Sequence, residues 1–246
     1  MGRPSGEEES FPVMIGLLSD FQSFLAVYPQ KWPSWSYDIT RAVVVTLKIT
    51  AGAFALGLVI GLVVAIGRLS PRKSVRRMAT VYVEITRGVP SLVILFLLYF
   101  GLVPLGIALD AVPAAILGLG ISSGGYIAEI FRAGIEATHR GQREAGLTVG
   151  MSSFQIYRFI IIPQATRIAL PPLVNMLITV LKDSSLASLI SAPEIMLRAK
   201  DISSTDFLPL HIFLLVGVIY CLLALPLSLV ARVMERKMFA GLGARL

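Results

Sequence analysis

The sequence predicts an all-α integral membrane protein, and three observations support this fold class. Hydrophobic residues make up 55% of the 246 residues, charged residues only 15%, and the mean hydropathy of +0.78 far exceeds what a soluble domain needs. The apolar residues form continuous runs of about the 20 residues that cross a bilayer as a helix. These runs lack the weak ten-residue alternation of a membrane β-barrel.

Five apolar runs are long enough to span the membrane. We predict spans over residues 39–66, 91–109, 111–131, 168–190 and 207–233. The chain then divides into a segment before the membrane at 1–36, a membrane domain at 37–235 and a tail at 236–246. A polar loop at about 136–167 separates the third span from the fourth.

The first 36 residues do not resemble a cleaved export signal. Glu7, Glu8 and Glu9 stand where a signal peptide has basic residues. We therefore interpret 1–36 as a retained segment outside the membrane or at its surface. Within it, residues 11–27 are mildly amphipathic and are predicted as a short surface helix.

Basic residues are divided unequally between the two ends of the predicted bundle. One end collects Arg68, Arg72, Lys73, Arg76, Arg77, Arg132, Arg140, Arg143, Arg158, Arg167, Arg232, Arg236, Lys237 and Arg245. The other end collects only Arg3, Lys31, Arg41, Arg198 and Lys200. The positive-inside rule therefore predicts an N-terminus outside and a cytoplasmic C-terminus. This topology accounts for the net charge of +7 without a nucleic-acid ligand.

Cysteine and histidine are too scarce for metal or thiol chemistry within one chain. Cys221 is the single cysteine, and His139 and His211 lie far apart in the sequence. We predict no metal site. The sequence also lacks a GxxxxGK[ST] phosphate-binding loop. If ATP drives this protein, another polypeptide hydrolyses it.

The polar loop suits docking to another protein. Its sequence from residue 141, GQREAGLTVGMSSFQIYRFIIIPQATRIALPPLVN, combines small residues, glycines and a late proline. A glycine can end a short helix and a proline can start the next one, so the loop can present an exposed knob. We single out as its docking residues Gly141, Gln142, Glu144, Ala145, Gly146, Gly150 and Pro163.

Several ordered motifs resemble the permease subunits of bacterial ABC importers for polar amino acids, the histidine/glutamine permease family. They are TLKIT at 46–50, YVEITRGVPSLVILFLLYFGL at 82–102, GGYIAEIFRAGI at 124–135, the polar loop, and LKDSSLASLIS at 181–191. The chain departs from the family's usual Arg-Gly-Thr-Pro at 87–90, Glu-Ala-Ala at 144–146 and Lys-Asp-Thr-Ser at 182–185. These departures bear on substrate identity more than on class.

The resemblance implies a type I ABC importer permease fold with a cytoplasmic coupling helix in the loop at 136–167. It implies a multi-pass protein of the bacterial plasma membrane that is a transport subunit and not an enzyme. The implied partners are ATP-binding cassette ATPase subunits, a second permease subunit that is a copy or a related chain, an extracytoplasmic amino acid binding protein, and membrane lipid. ATP and magnesium would bind to the ATPase, and no cofactor to this chain.

Polar residues in the fourth predicted span are candidates for the substrate pathway, because charge inside the hydrocarbon is costly. Lys182 and Asp183 are adjacent and point about 100° apart on a helix, so each needs its own partner. A cation, an anion and the hydroxyls of Ser184 and Ser185 would match both ends of a free amino acid, and Asn175 adds an amide. The alternative is that these charges bond to neighbouring helices and only hold the bundle together.

Two further charge pairs have helical spacing. Glu84 and Arg87 lie at i and i+3, as do Glu129 and Arg132, which favours structural ion pairs, with a gating role as the alternative. The spacing of Gly57 with Gly61, and of Gly120 with Gly124, predicts close helix packing.

Two other classes of function are less consistent with the sequence. An ATP-independent secondary carrier or channel would leave the docking loop unexplained, and five spans do not form an even inverted repeat. A membrane-embedded enzyme would need a nucleophile with a base, or metal ligands, at membrane depth, and the sequence does not supply them.

Overall fold

The computed structural model describes residues 10–138 and 140–243, and the side chains of 19–138 and 141–236. Within these ranges the regular structure is entirely helical. The α-helices are α1 (Ser10–Arg68), α2 (Lys73–Gly88), α3 (Ser91–Tyr99), α4 (Ala111–Glu136), α5 (Arg140–Thr148), α6 (Ser153–Ile156), α7 (Ile162–Asp183), α8 (Ile195–Asp206) and α9 (Pro209–Gly243). Two 3₁₀ turns, Val103–Leu105 and Ser184–Ile190, and a π turn, Tyr157–Ile161, connect some of them.

Helix α1 is much longer than the span predicted for it. It runs without a break through residue 37, so the separate short helix predicted over 11–27 is wrong; Glu7, Glu8 and Glu9 lie outside the described residues. At 1.5 Å per residue, the 50 residues from Ser19 to Arg68 extend over about 75 Å. That is more than twice the thickness of the hydrocarbon layer, which is about 30 Å. Helix α1 therefore projects beyond the bilayer.

The projecting part of α1 is held by α8 and α9. The Trp35 indole Nε1 donates a hydrogen bond of 2.7 Å to Asp206 Oδ2, and Lys31 Nζ lies 3.2 Å from Asp206 Oδ1. The Tyr28 hydroxyl donates to the His211 carbonyl oxygen at 3.1 Å. These contacts fix α8 and the start of α9 against α1.

Helices α1 and α4 form the centre of the bundle and run in the same direction. Gly52 faces Ile116 and Gly61 faces Ile127, so contacts advance together along both helices. A Cβ atom on Gly61 would lie 2.8 Å from Ile127 Cβ, and one on Gly124 would lie 2.7 Å from the Tyr82 hydroxyl. The predicted small-residue packing is therefore present, and it brings backbones into direct contact.

The second predicted span is wrong as a single helix over 91–109. Helix α3 has only nine residues, and it follows α2 at an angle of 102° after a break at Val89 and Pro90. Proline fixes its own backbone and disfavours helix at the preceding residue, which explains the break. Among the residues that the structure describes, four helices are long and apolar enough to cross a membrane, and the bent pair makes up to five.

Helix α9 extends through the boundary at which the sequence predicts a tail. It begins at Pro209 and continues to Gly243, so the described part of 236–246 is helical. Residues 244–246 lie outside the described residues.

Candidate functional site

Helix α5 carries most of the predicted docking residues and stands exposed at one end of the bundle. Gln142, Glu144 and Ala145 are exposed, and a Cβ atom on Gly141 would meet nothing within 4 Å. Gly150 ends the helix with φ of +81°, a backbone conformation that glycine adopts readily. The Met151 amide then donates to the Gly146 carbonyl oxygen at 3.0 Å.

Gly146 differs from the other docking residues because it is buried. A Cβ atom there would lie 2.9 Å from Ile156 Cγ1. Within the chain, the glycine lets α5 pack on Ile156. A part for Gly146 in the approach of a partner stays a prediction. The described neighbours of Gly146 on α5 form the exposed side of the helix.

Three large apolar side chains around α5 are exposed, and the sequence analysis did not select them. Leu147 is 52% exposed, Val149 77% and Phe154 72%. The sequence does indicate that they are exposed, because large apolar residues inside a polar loop have no core of their own to fill. Together with Glu144 they give α5 a surface suited to protein docking.

A capped turn joins α5 rigidly to α7. The Ser152 hydroxyl accepts from the Gln155 amide at 3.3 Å, and Gln155 Oε1 accepts from the Ser152 amide at 2.8 Å, which completes a capping box. The π turn follows and leads into α7, near whose start Pro163 lies. Proline cannot donate to a carbonyl four residues earlier, and a wider turn accommodates that loss.

The far end of α7 reaches a polar cavity of about 250 Å³, here called the Asp183 cavity. Its polar lining consists of Ser91, Ser122, Ser123, Tyr126, Thr179 and Asp183. The Ser91 and Ser122 hydroxyl oxygens are 2.8 Å apart. Asp183 has no ion-pair partner among the described side chains, so its carboxylate is available to a ligand.

A second cavity of about 640 Å³ adjoins the first, and we call it the Arg87 cavity. Tyr126, Met176 and Thr179 line both cavities, so the two lie side by side. The Arg87 cavity also contains Arg87, Glu129 and Asn175. The Arg87 guanidinium lies over the Tyr126 ring at 5.6 Å from its centroid.

The predicted ion pair between Glu84 and Arg87 is wrong. Neither side chain takes part in any of the ion pairs found among the described residues. Both residues are exposed on α2, and Arg87 turns toward Tyr126 of α4 instead. The break after α2 places Arg87 at the edge of the cavity, where the aromatic face is within reach.

Glu129 and Arg132, by contrast, are paired. The Glu129 carboxylate accepts from Arg132 Nε at 3.0 Å and also pairs with Arg68 of α1. Arg132 pairs in addition with Glu136. The result is a network of charges that ties α1 to α4 at the end of the bundle near α5. A gating role for it stays a prediction.

The predicted pathway residues do not share one cavity. Lys182 and Ser185 line a separate groove of about 430 Å³ beside α9, on the other side of α7 from Asp183. Ser184 is fully buried and donates to the Leu181 carbonyl oxygen at 2.7 Å. Asn175 Nδ2 lies 3.4 Å from Glu235 Oε1 at the Arg87 cavity. Lys182 and Asp183 therefore line different cavities of this chain.

Hydropathy and residue spacing do not reveal the hydroxyl groups that line the Asp183 cavity. Ser122 and Ser123 lie in the middle of an apolar helix directly before Gly124 and Gly125. The predicted close packing concerns the neighbouring Gly120 and Gly124 and not these two serines. Their place in the cavity lining depends on α3 and α7 meeting α4 at that level, which periodicity does not show.

Comparison with known proteins gives consistent matches over most of the chain. The family model described as "Binding-protein-dependent transport system inner membrane component" matches residues 57–240. A probable amino-acid ABC transporter permease protein, YckA of Bacillus subtilis, is 40% identical over 199 residues, covering 81% of this chain and 88% of the relative. The glutamine transport system permease protein GlnP of Escherichia coli K12 is 37% identical over 210 residues, covering 84% and 95%.

A solved structure described as an amino acid ABC transporter with histidines has the same fold. It superimposes with a TM-score of 0.81 at 34% sequence identity and covers 85% of this chain and 97% of the solved chain.

Proposed function

This chain belongs to the family of inner membrane components of binding-protein-dependent transport systems, as a permease subunit of an ABC importer, and we propose that its cargo is a polar amino acid. It is a multi-pass inner membrane protein. The relatives named for amino acid and glutamine transport, at 40% and 37% identity, support this substrate class. The family also favours the importer over an ATP-independent carrier or channel.

One observation carries the mechanism: α7 connects the exposed α5 region directly to the Asp183 cavity. Its 22 residues extend over about 33 Å, which is a full crossing of the hydrocarbon layer. A displacement of α5 by a bound partner would therefore move the Asp183 carboxylate at the other end of helix α7. We infer that α7 transmits the conformational change that opens and closes the pathway.

Within the pathway, the side chains fit the two charged ends of an amino acid. Asp183 would accept hydrogen bonds from the ammonium group, and the surrounding hydroxyls would complete its coordination. Arg87, in the adjoining cavity, would bind the carboxylate at a later stage of transport. Neither charge has an ion-pair partner among the described side chains, so neither must be released first.

The partners follow from family and geometry. An ATPase and a binding protein belong to transport systems of this family, and we propose that α5, with Glu144 and its exposed apolar neighbours, lies in a groove of the ATPase, which binds ATP and magnesium. A second permease subunit, a copy or a related chain, would complete the pathway. The basic end near Arg68 and Arg132 would face the cytoplasm, with the N-terminus outside.

The test is purification of the full-length chain from its host membrane, followed by reconstitution in liposomes. We expect an ATPase to copurify, and labelled polar amino acids to enter only with ATP inside the liposomes and binding protein outside. Competition among unlabelled amino acids then identifies the substrate. Transport by the chain alone, without nucleotide or a second protein, would contradict the proposal.

A further inference from the structure

Three basic side chains converge at the end of the bundle remote from Arg68. Arg41 and Lys48 of α1 and Arg198 of α8 line one cavity of about 300 Å³, together with Asp38 and Pro193. Arg41 and Lys48 lie two turns apart on one helix, whereas Arg198 follows Lys48 by 150 residues, so the fold brings the third cation to the other two. This cavity, here called the basic cavity, has no part in the pathway described above.

The segment that supplies Arg198 is anchored to α1 between the other two cations. The Ile195 amide donates to the Thr46 hydroxyl oxygen at 3.2 Å. Glu194, with no exposed surface, caps α8 by accepting from the Met196 and Leu197 amides at 2.9 and 2.8 Å. Burial in this setting raises the pKa of the Glu194 carboxyl above its usual range. The basic cavity therefore rests on rigid elements.

The charges of the basic cavity are only partly balanced. Arg198 pairs with Asp201 at 3.2 Å, and the Arg41 guanidinium lies beside the Tyr37 hydroxyl at 3.2 Å. Lys48 has no hydrogen-bond or ion-pair partner among the described side chains. Three cations thus face two carboxylates, Asp38 and Asp201, and the lysine ammonium is free to take an anion.

The depth of the basic cavity places it at the membrane surface. Twenty residues, or about 30 Å of helix, span the hydrocarbon layer, and counting 20 back from Arg68 on α1 reaches Lys48. The same count from Arg232 on α9 reaches Ile212, which packs with Trp35, Ile39 and Ala42 of α1. The first count places the outer boundary of the hydrocarbon layer at Lys48 of α1, and the second places it at the level of Trp35, Ile39 and Ala42. The α1 residues of the basic cavity lie between these levels, so the cavity is at head-group level.

Exposed apolar side chains lie in and beside the wall of the basic cavity. Val44 and Val45 line it, and Val44 is 47% exposed; Leu47, beside Lys48, is 44% exposed. A basic rim above apolar side chains matches a phosphate joined to acyl chains. The acidic surface of a soluble partner would leave these apolar side chains without a contact.

We propose that the basic cavity binds the phosphate group of an anionic phospholipid in the leaflet remote from Arg68. Lys48 and Arg41 contact the phosphate, Arg198 completes the rim, and the acyl chains lie along Val44 and Leu47. The bound lipid would thereby join α1 to the segment that starts α8. The proposal does not depend on which solute is transported.

The test uses the full-length chain in nanodiscs with phosphatidylglycerol carrying a photoreactive head group. Crosslinks are located by mass spectrometry on peptides produced without cleavage at basic residues. We expect crosslinks at residues 38–48 and 193–198, at least about tenfold more than with photoreactive phosphatidylcholine. Lys48→Gln and Arg41→Gln should each lower the yield there about fivefold. Asp38→Asn, which removes a carboxylate, should raise it.

Lys73→Gln is the matched control, since Lys73 is exposed at the opposite end of the bundle and should leave this crosslink unchanged. Equal yields with the two lipids, or a normal yield in the Lys48→Gln/Arg41→Gln double variant, would overturn the proposal. Displacement of the lipid by millimolar inorganic phosphate would assign the cavity to a free anion. Loss of binding-protein association in the double variant, with lipid crosslinking unchanged, would assign it to protein docking.

Discussion

Helices α1 and α4 pack backbone against backbone, whereas α5 contacts the rest of the protein mainly through the short elements that follow it. Along α1 and α4, glycines at 52, 57, 61, 120 and 124 leave no room for a Cβ atom without displacing a neighbour. Along α5, residues 141–145 and 147–150 are all exposed, and Gly146 alone is buried among the described side chains.

The contrast separates two mechanical roles. A close-packed pair deforms little, because moving one backbone means moving the other. A helix with few buried contacts can shift on its partner's surface at little cost to the fold. The charge network of Arg68, Glu129 and Arg132 ties the rigid pair together near α5. We therefore expect variants that fill the glycine contacts between α1 and α4 to prevent the protein from accumulating. Variants on the exposed side of α5 should reduce only the coupling of transport to ATP hydrolysis.

The largest expected effect is that of Gly61→Val. The new side chain would start 2.5 Å from Ile127 Cγ2 and 3.0 Å from the Ala128 amide nitrogen, and the backbone atom cannot move aside. Overpacking of this kind costs about 3 kcal/mol. We expect little full-length protein in the membrane fraction, measured by quantitative immunoblot and by thermal unfolding of what remains.

Gly217→Val on α9 is the control for Gly61→Val. A Cβ atom at Gly217 would meet nothing within 4 Å, so this variant should accumulate and melt like the native protein. Normal stability of Gly61→Val would show that α1 and α4 separate easily, and the comparison with α5 would fail.

Next in size is Asp183→Asn, at the end of α7 remote from α5. Loss of the negative charge removes a charge-assisted hydrogen bond to the substrate ammonium, worth about 3 kcal/mol, or about a hundredfold in affinity. We expect ATP-driven uptake in liposomes to show a KM raised by about that factor, with the ATPase still bound.

Lys182→Gln provides the matched comparison for Asp183→Asn. Lys182 lines the groove on the other side of α7, so we expect its KM to stay within about threefold of the native value. A larger effect at Lys182 than at Asp183 would move the pathway to the face of α7 that lies beside α9.

The sequence predicts some of these features and not others, for identifiable physical reasons. The apolar runs and the glycine spacing are one-dimensional patterns. The structure contains four long apolar helices and one bent pair among the described residues, and the predicted glycine contacts. The bend at Pro90 was missed because 91–109 is apolar throughout, and hydropathy does not register a change of direction. Gly146 was assigned to a partner because a small residue permits close approach without indicating whose surface approaches. The Asp183 cavity depends on α3, α4 and α7 meeting, which no local pattern encodes.

Within the α5 region, Glu144→Lys reverses the charge of an exposed side chain without disturbing any packing. We expect normal amounts of protein in the membrane and about tenfold slower uptake, because a sign reversal at a docking surface opposes the partner's charge. The measurement is the ratio of solute transported to ATP hydrolysed in liposomes.

Asp20→Lys is the control for Glu144→Lys, since Asp20 is exposed on the projecting part of α1 and far from α5. It should keep the native transport ratio. If Glu144→Lys also keeps the native ratio of solute transported to ATP hydrolysed, α5 is an ordinary connection between helices. The proposed difference in mechanical role between α5 and the α1–α4 pair would then be wrong.

The smallest expected effect, Asp206→Asn, probes how firmly the projecting part of α1 belongs to the rigid pair. The hydrogen bond from the Trp35 indole, followed by the Lys31 ammonium, holds the pKa of the Asp206 carboxyl below its usual value of about 3.9. A lowered pKa contributes stability that is present above the unfolded-state pKa and is lost as the pH falls through the folded-state value. At pH 7 we therefore expect Asp206→Asn to melt about 2–4 °C below the native protein. The gap should narrow as the pH falls below the unfolded-state pKa and close once the pH is below the folded-state pKa, because the native carboxyl is then also neutral. A gap that stays constant with pH would mean that the contact acts through shape alone and not through charge.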